Sequence, residues 1–476
     1  MTAQRNPISI SPAQTMTLAP RTTSHGVPFP ARDLLALHQE LHARPALPTR
    51  PTCVVSSWVH AGMSAERAEA ALATLCLACG STPPAAGARH HVLQAPGFAL
   101  KLERHGEFVS FQLNRPLPDI ASGSEPDDAT LQALLQSASA LPVLPDAFVS
   151  LLSGDGAGRL VAAAHVLLID AREHEAMLGR CQALLKAQAG GGHDDAATLA
   201  GAWIGDGQRG ALLTHLRLGT DGFTRFVLLD FGLPPDQAAR EAQRLCEIEA
   251  YRMLAMMGFP VAQQEAALLA ELERTLQGTV DAMANDQSAD DTRAFETLTR
   301  LAAEVEHSTA RTRYRFSATR AYHRIVERRL ADLREQRIPG VQTLSGFLSR
   351  RFTPAMALCD STDGRLTDIA ERINRATSLA RVRIEVRREE GNQELLRALA
   401  TRQKQQLQLQ QTVEGLSVVA ISYYALGLVG YLAKAAKVLP VLEPLHLQPD
   451  LVVGVAALPV VLAVAWFVQK LRQHLH

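Results

Sequence analysis

The tightest constraint on this chain is a pair of uncharged apolar runs near its C-terminus. Leu416–Ala433 reads LSVVAISYYALGLVGYLA and Leu451–Val468 reads LVVGVAALPVVLAVAWFV, 18 residues each. A hydrocarbon core of about 30 Å takes roughly 17–25 helical residues to cross, so each run is long enough to span a bilayer. Both are apolar around the whole helix circumference, and Tyr431, Lys434, Trp466, Phe467 and Lys470 sit at their ends. Aromatic and cationic side chains at those positions suit the membrane–water interface. A pair of buried core helices would not call for them. The expected spans are 412–433 and 451–469, with a short loop at 434–450 and a tail at 470–476.

Flanking cations set the expected orientation. Arg397, Arg402 and Lys404 precede the first run and Lys470 and Arg472 follow the second, against Lys434 and Lys437 in the loop. That asymmetry favours both termini in the cytoplasm and the loop outside.

The remainder looks unlike this segment. Across 476 residues, 48 basic and 48 acidic side chains cancel, so a general nucleic-acid binder is not expected. Six cysteines in a chain of this length do not make a disulfide scaffold. A mean hydropathy of zero is then an average over unlike parts. Residues 1–28 are rich in Thr, Ser, Pro and Gln and lack the apolar core of a secretory signal, which predicts a disordered leader.

Residues 29–232 alternate short β-like runs with helical ones and predict a cytoplasmic α/β domain. Thr52–Val59 reads as a strand and Ser64–Cys79 as a helix. Phe98–Glu103 and Glu107–Leu113 form a hairpin, and a helix spans Ala129–Ala140. Leu160–Ile169, Ala171–Gln188, Ala200–Ile204, Ala211–Leu218 and Phe223–Leu229 then repeat much of that order. A duplicated β-α-β-β-β-α unit, with halves 29–141 and 159–232 and a linker at Leu141–Gly158, is one expectation. Shared hairpin chemistry is the other.

Residues 233–411 read as a long helical stalk region, interrupted at Gly258–Pro260, Asn285–Asp291, Pro339-Gly340, Pro354 and Asp360–Gly364. Its densest basic stretch holds Arg311, Arg313, Arg315, Arg320, Arg324 and Arg328, a candidate anion-binding face. A solvated face of paired charges is the simpler account of such arginines.

Gly205–Gly210 matches the GxGxxG pattern, but a dinucleotide site needs a helix to follow, and strand, turn and strand follow here. Cys76-Leu77-Ala78-Cys79 lies in an alanine-rich helical run, where cysteine serves as a small apolar residue. No metal or cofactor is expected. Two polar clusters are more suggestive: Glu40, His42 and Arg44 before the first strand, and Glu103, Arg104, His105 and Glu107 at the first hairpin turn. Each sets a carboxylate, an imidazole and a guanidinium close together, suited to acid–base work, to holding an anion, or to a buried ion-pair network. The network is the favoured reading.

The segments Glu40–Pro45 (ELHARP), Glu103–Phe108 (ERHGEF), Asp221–Phe226 (DGFTRF) and Gln411–Tyr424 (QTVEGLSVVAISYY) resemble the signatures of one bacterial family. It is a domain-of-unknown-function family of uncharacterised membrane-anchored proteins. The resemblance implies a large cytoplasmic region with a C-terminal membrane anchor and assigns no reaction or cofactor; the expected location is a bacterial inner membrane. The layout also resembles that of CorA-type divalent-cation channels, although their Gly-Met-Asn motif is replaced here by Gly427-Leu428-Val429. Glu414, Ser422, Tyr423, Tyr424, Gly427 and Gly430 are the candidate membrane or pore residues. Polar groups at that depth need a partner or water.

Three functions stay open at this point. The leading one is a membrane-anchored binding or scaffold protein that associates with the bilayer and with further copies of itself. The others are an oligomeric ion channel or transporter, and a membrane-tethered enzyme built on the two polar clusters.

Overall fold

The computed structural model describes residues 46–47, 49–117, 126–189, 199–285, 290–436 and 449–475. The leader, the cluster Glu40, His42 and Arg44, and most of the 434–450 loop lie outside the described residues. The described chain divides into two compact units, residues up to Gln277 with Leu301–Ile373, and Gly278–Arg300 with Asn374–His476.

The first unit is built on a mixed sheet. Its first half holds β1 (Cys53–Ala61), α1 (Ala65–Ala78), β2 (His90–Ala95), β3 (Phe98–Arg104) and β4 (Phe108–Pro116). After α2 (Asp128–Ser137) and α3 (Asp146–Leu151) come β5 (Arg159–Asp170), α4 (Met177–Ala189), β6 (Ala200–Ile204), β7 (Gly210–Leu218) and β8 (Thr224–Asp230). The strands lie side by side as β2-β3-β4-β1-β5-β8-β7-β6, closed at the far edge by β9 (Gln336–Arg337). Pairing β9 with Trp203 on β6 covers what would otherwise be an open edge.

Both halves therefore place their first strand beside their fourth, the order expected of a duplication. The directions differ. β1 runs antiparallel to β4, whereas β5 runs parallel to β8. The first strand of the second half is thus reversed, and α4 must carry the chain back along the sheet before β6 can begin. The halves share neighbour order and hairpins but not the sense of their opening strand.

Alternation along the strands creates two faces. On one, Trp58, Leu100, Phe111 and Leu113 pack with Leu72 and Leu75 of α1 and Phe148 of α3. Farther along that face, Leu167, Ile169, Leu213 and Val227 pack with Leu131 of α2 and Cys181 of α4. The other face is covered by α5 (Pro235–Met256), α7 (Asp291–Asp332) and the start of α8 (Leu344–Ala436). There Val166, Leu168, Leu212 and Phe226 meet Leu245, Ile248, Val326 and Phe352. Ser64 caps α1 by accepting a hydrogen bond from the Arg67 amide at 3.1 Å, and Asp127 caps α2 from Thr130 at 2.8 Å. Gly158 sits where the chain enters β5 with φ +68°, and a Cβ there would lie 2.3 Å from the Ala61 carbonyl, so no other residue fits.

Three expectations are corrected. Strand β2 is absent from the sequence reading, because at this outer position only Leu93 of its six residues is buried and no alternation marks it. The segment Leu141–Gly158 is more than a linker, since it forms α3 and inserts Phe148 fully into the core. Neither Pro354 nor Asp360–Gly364 breaks the helix, and α8 runs through both. Phe352, Ala355, Met356 and Cys359 around Pro354 are all buried, and their packing outweighs the hydrogen bond that proline removes.

The second unit is helical. It contains the end of α6 (Gly258–Asn285), the start of α7, the rest of α8 and α9 (Pro449–Leu475). The α7 end is fixed through Asp291, 3% exposed, whose carboxylate oxygens lie 3.2 and 3.1 Å from Arg383 and Arg387 Nε. Beyond that clamp every residue from 385 to 413 is exposed. Two stretches, in α8 and α9, are long and apolar enough to cross a membrane.

Candidate functional site

The sheet face under α5 changes character between the halves. In the second half it carries Ala202, Ile204, Leu212, Phe226 and Leu228, all buried hydrocarbon. In the first half the same face carries Ser57 on β1, Lys101 and Glu103 on β3, and Ser110 and Gln112 on β4. These residues line a cavity of about 160 Å³. Gln243, Glu247, Ala250 and Tyr251 of α5 roof it, with Arg329 of α7 at the side. Strand alternation explains the placement: Leu100 and Leu102 point to the hydrophobic core, so Lys101 and Glu103 must point the other way.

Some polar groups here are paired. Arg329 Nε lies 2.5 Å from Glu247 Oε2, and Gln243 Nε2 donates to Glu247 Oε1 at 2.7 Å. Others are not. Lys101 is 3% exposed, and its Nζ approaches Glu103 Oε1 to 3.5 Å without the alignment of a hydrogen bond. Lys101 Nζ, Glu103 Oε1 and Gln243 Oε1 are buried with no hydrogen-bond partner. Leaving such groups unpaired is costly, which makes this cavity the best candidate for a ligand. Cys246 beside it is no nucleophile, because burial, reinforced by Glu247, pushes its thiol up to about 12. A larger cavity of about 290 Å³ near the β2–β3 turn is less suited. Its buried polar groups are already joined, Asn114 Nδ2 donating to Thr49 Oγ1 at 2.8 Å and Gln112 Nε2 to Asn114 Oδ1 at 3.2 Å.

The hairpin cluster predicted from sequence is split by the strand's alternation. Glu103 and His105 line the cavity, with His105 stacked on Phe108 at 4.1 Å between ring centres. Arg104 points away and donates to Glu69 Oε1 of α1 at 2.7 Å. Glu107 leaves the cavity to accept hydrogen bonds from Arg315 and, at 2.5 Å, from the Tyr322 hydroxyl, tying the turn to α7. Burial and Glu107 both push the Tyr322 hydroxyl up. Arg104 and Glu107 are thus each held in an ion pair, with Glu69 and with Arg315.

The arginine face also divides. Arg311 pairs with Glu265, Arg315 with Glu107 and Arg320 with Asp363. Arg313, Arg324 and Arg328 are exposed. Their spacing puts these three on one side of α7.

Among the membrane candidates, Ser422 is 4% exposed with its Oγ unpartnered, and a Cβ at Gly430 would lie 3.2 Å from Val453 Cγ2 of α9. Tyr423 and Tyr424 face outward with rings 5.8 Å apart, Gly427 has open space, and Glu414 accepts from Gln410 at 3.4 Å. Within one chain these residues do not converge.

One arrangement has the order of a catalytic triad without its access. Ala140 N–H donates to Ser56 Oγ at 2.9 Å, and Ser56 Oγ is hydrogen-bonded to His165 Nδ1 at 2.7 Å. His165 Nε2 is 3.4 Å from Asp221 Oδ2, and Asp221 takes two hydrogen bonds from Arg225. Burial, then Arg225, lowers His165 to about 4, with Asp221 opposing. Burial works against the Asp221 carboxylate, but Arg225 and the Phe223 amide hold it at about 2. Ser56 is fully buried and His165 is 2% exposed, so no substrate reaches them. The DGFTRF segment is accordingly structural: Phe223 stacks on His165 at 4.1 Å and Thr224 donates to Glu249 at 2.9 Å.

The GxGxxG stretch is a turn between β6 and β7, with Gly205 and Gly207 both at φ 74°. Cys76 lies 3.6 Å from His91 Nε2, and among the described residues no His, Cys, Asp and Glu group could hold a metal ion. Sequence reasoning missed Lys101, Gln112, Gln243 and Glu247. The available signal was Lys101 and Glu103 alternating with leucines inside a strand.

No curated protein matches the sequence significantly. Residues 28–475, nearly the whole chain, match the family described as "Protein of unknown function (DUF3422)", and the chain belongs to that family.

Proposed function

We propose that this protein is a membrane-anchored binding protein, held in a bacterial inner membrane by α8 and α9 with both termini cytoplasmic, and self-associating along α8. The observation that carries the anchor is outward-facing hydrocarbon on both helices. Leu416, Tyr424, Leu428, Leu451, Leu458 and Trp466 are each 60% or more exposed in the single chain. An apolar surface of this extent is stable only when covered, and a bilayer covers a helix on all sides. Lys470 Nζ rests 4.7 Å from the Trp466 ring centre, the pairing of an aromatic with a cation that suits an interface. The orientation rests on the flanking cations alone.

Self-association rests on the exposed length of α8. Leu379, Val382, Val386, Leu396, Ala400 and Leu407 occupy the first and fourth positions of one heptad register, and Leu379, Val386, Leu396 and Leu407 are all more than half exposed. Two copies anchored in the same membrane with the same orientation would meet parallel and in register along this seam. The polar Glu389, Gln393, Gln403 and Gln410 on it would weaken the association while fixing its alignment.

Alkaline carbonate washing of membranes from expressing cells tests the anchor. The full chain stays with the membrane pellet, and a chain truncated after Gln411 is released. Release of the full chain would refute the anchor. The mass of the detergent-purified protein by light scattering tests the seam. Leu396→Lys with Leu407→Lys shifts the particle toward a single chain, and a wild-type particle that is already monomeric refutes self-association. A symmetric ring that conducts ions in liposomes would favour the channel instead.

A further inference from the structure

We infer that the cavity between β3, β4 and α5 binds a small zwitterion, of the class of an α-amino acid with a compact apolar side chain. This inference stands apart from the membrane and self-association readings. Three buried atoms around this cavity make no hydrogen bond, and two of them, Lys101 Nζ and Glu103 Oε1, face each other only as an ion pair at 3.5 Å. Lys101 Nζ is a cationic donor, Glu103 Oε1 an anionic acceptor and Gln243 Oε1 a neutral acceptor; all three are buried, and their residues line one cavity. The charged residues lining it cancel, Lys101 and Arg329 against Glu103 and Glu247.

The sign of the ligand follows. An anion would satisfy Lys101 but be repelled by Glu103 and find no use for the Gln243 carbonyl. A cation would satisfy those two oxygens and leave Lys101 worse off. A molecule bearing a carboxylate and an ammonium satisfies all three, the carboxylate on Lys101 and the ammonium between Glu103 and Gln243.

Size and lining narrow the class. A volume of about 160 Å³ holds several waters or one molecule of roughly six to ten non-hydrogen atoms. The rest of the wall includes Phe108, Ala250 and Tyr251, with the Phe108 and Tyr251 rings edge to face at 6.1 Å. That surface takes a methyl or isopropyl group and offers nothing to a charged side chain. The competing occupant is a cluster of waters, which would satisfy the same atoms without selectivity.

Calorimetric titration of the detergent-purified full chain with L-alanine and L-valine tests this, using N-acetyl-L-alanine and L-alaninamide as controls that lack one charge each. The expected result is saturable binding of an unmodified amino acid and at least tenfold weaker binding of both controls. Lys101→Met and Glu103→Gln each weaken binding at least tenfold while the circular dichroism spectrum is retained. Should either variant fail to fold, Gln243→Leu on the α5 surface serves in its place, with the same expected loss. Absence of saturable binding by the amino acids, binding of either control as tight as that of the amino acids, or undiminished binding by the folded variants would each overturn the proposal. None of these results bears on whether the chain sits in a membrane.

Discussion

The two halves of the sheet set hydrocarbon and polarity against each other on one architecture. Each half orders its strands the same way and turns one face toward α5. In the second half Phe226 and Leu228 on β8 face that way, and both are fully buried. In the first half the equivalent strand β4 offers Phe108, Ser110 and Gln112. The opposite face of β4, with Val109, Phe111 and Leu113, is as apolar as any strand in the molecule. The polar lining of the cavity is therefore carried by one face of the first half. Other buried polar side chains of the sheet, such as Ser56, His165 and Thr224, are hydrogen-bonded within the fold. Folding alone does not require the polar lining, because the second half shows that the position can be filled with hydrocarbon.

The largest effect should come from damaging the apolar half. Phe226 packs between the sheet and α5 with no exposure. Phe226→Ala is expected to cost about 3–5 kcal/mol through lost burial and the cavity left behind. Denaturant unfolding would show this as a lower midpoint, and a loss under about 1 kcal/mol would mean that this half is not the stable core described above.

Next in size is a pH effect at the seam between the halves, where β1 pairs with β5. His165 is held neutral, with a folded value of about 4 against an ordinary 6.5. A base whose pKa is depressed in the fold binds its proton first in the unfolded chain. Its contribution to stability is thus fully present above about pH 6.5 and lost as pH falls toward 4. The span corresponds to roughly 3 kcal/mol at most. Unfolding midpoints measured between pH 7 and 4.5 should fall in the wild type, and His165→Gln should flatten that slope. A slope unchanged by the substitution would mean that other groups carry it.

These cases also show what the sequence could reveal. Strand β5 reads as apolar over most of its length because it is buried on both faces, and the turn at Gly219–Gly222 marks the β7–β8 hairpin directly. The apolar runs of α8 and α9 were legible for the same reason, since composition alone distinguishes them. The cavity was not. Lys101 and Gln243 are 142 positions apart by their numbers, and nothing local to either says that α5 lies across β3. The cluster at Glu103–Glu107 was visible as chemistry. Which of its members share a site depends on strand alternation and on where β3 ends. The reversal of β5 was equally hidden, because it depends on where α4 returns the chain.

The smallest predicted effect sharpens the comparison most. Gln112 is 7% exposed and donates to Asn114 at 3.2 Å, a single neutral hydrogen bond within one strand. Replacing it by leucine removes that bond, worth about 1 kcal/mol, and leaves the Asn114 oxygen with one partner fewer. The substitution also adds hydrocarbon to a face that the second half already fills with leucine. The two contributions are of similar size and opposite sign, so Gln112→Leu should move the unfolding free energy by less than about 1 kcal/mol. A loss several times larger would show that the polar face is part of what holds the first half together, and the contrast between a core half and a site half would fail. A near-neutral result separates the two roles: the fold does not need polarity at this position, so what keeps it polar is the content of the cavity.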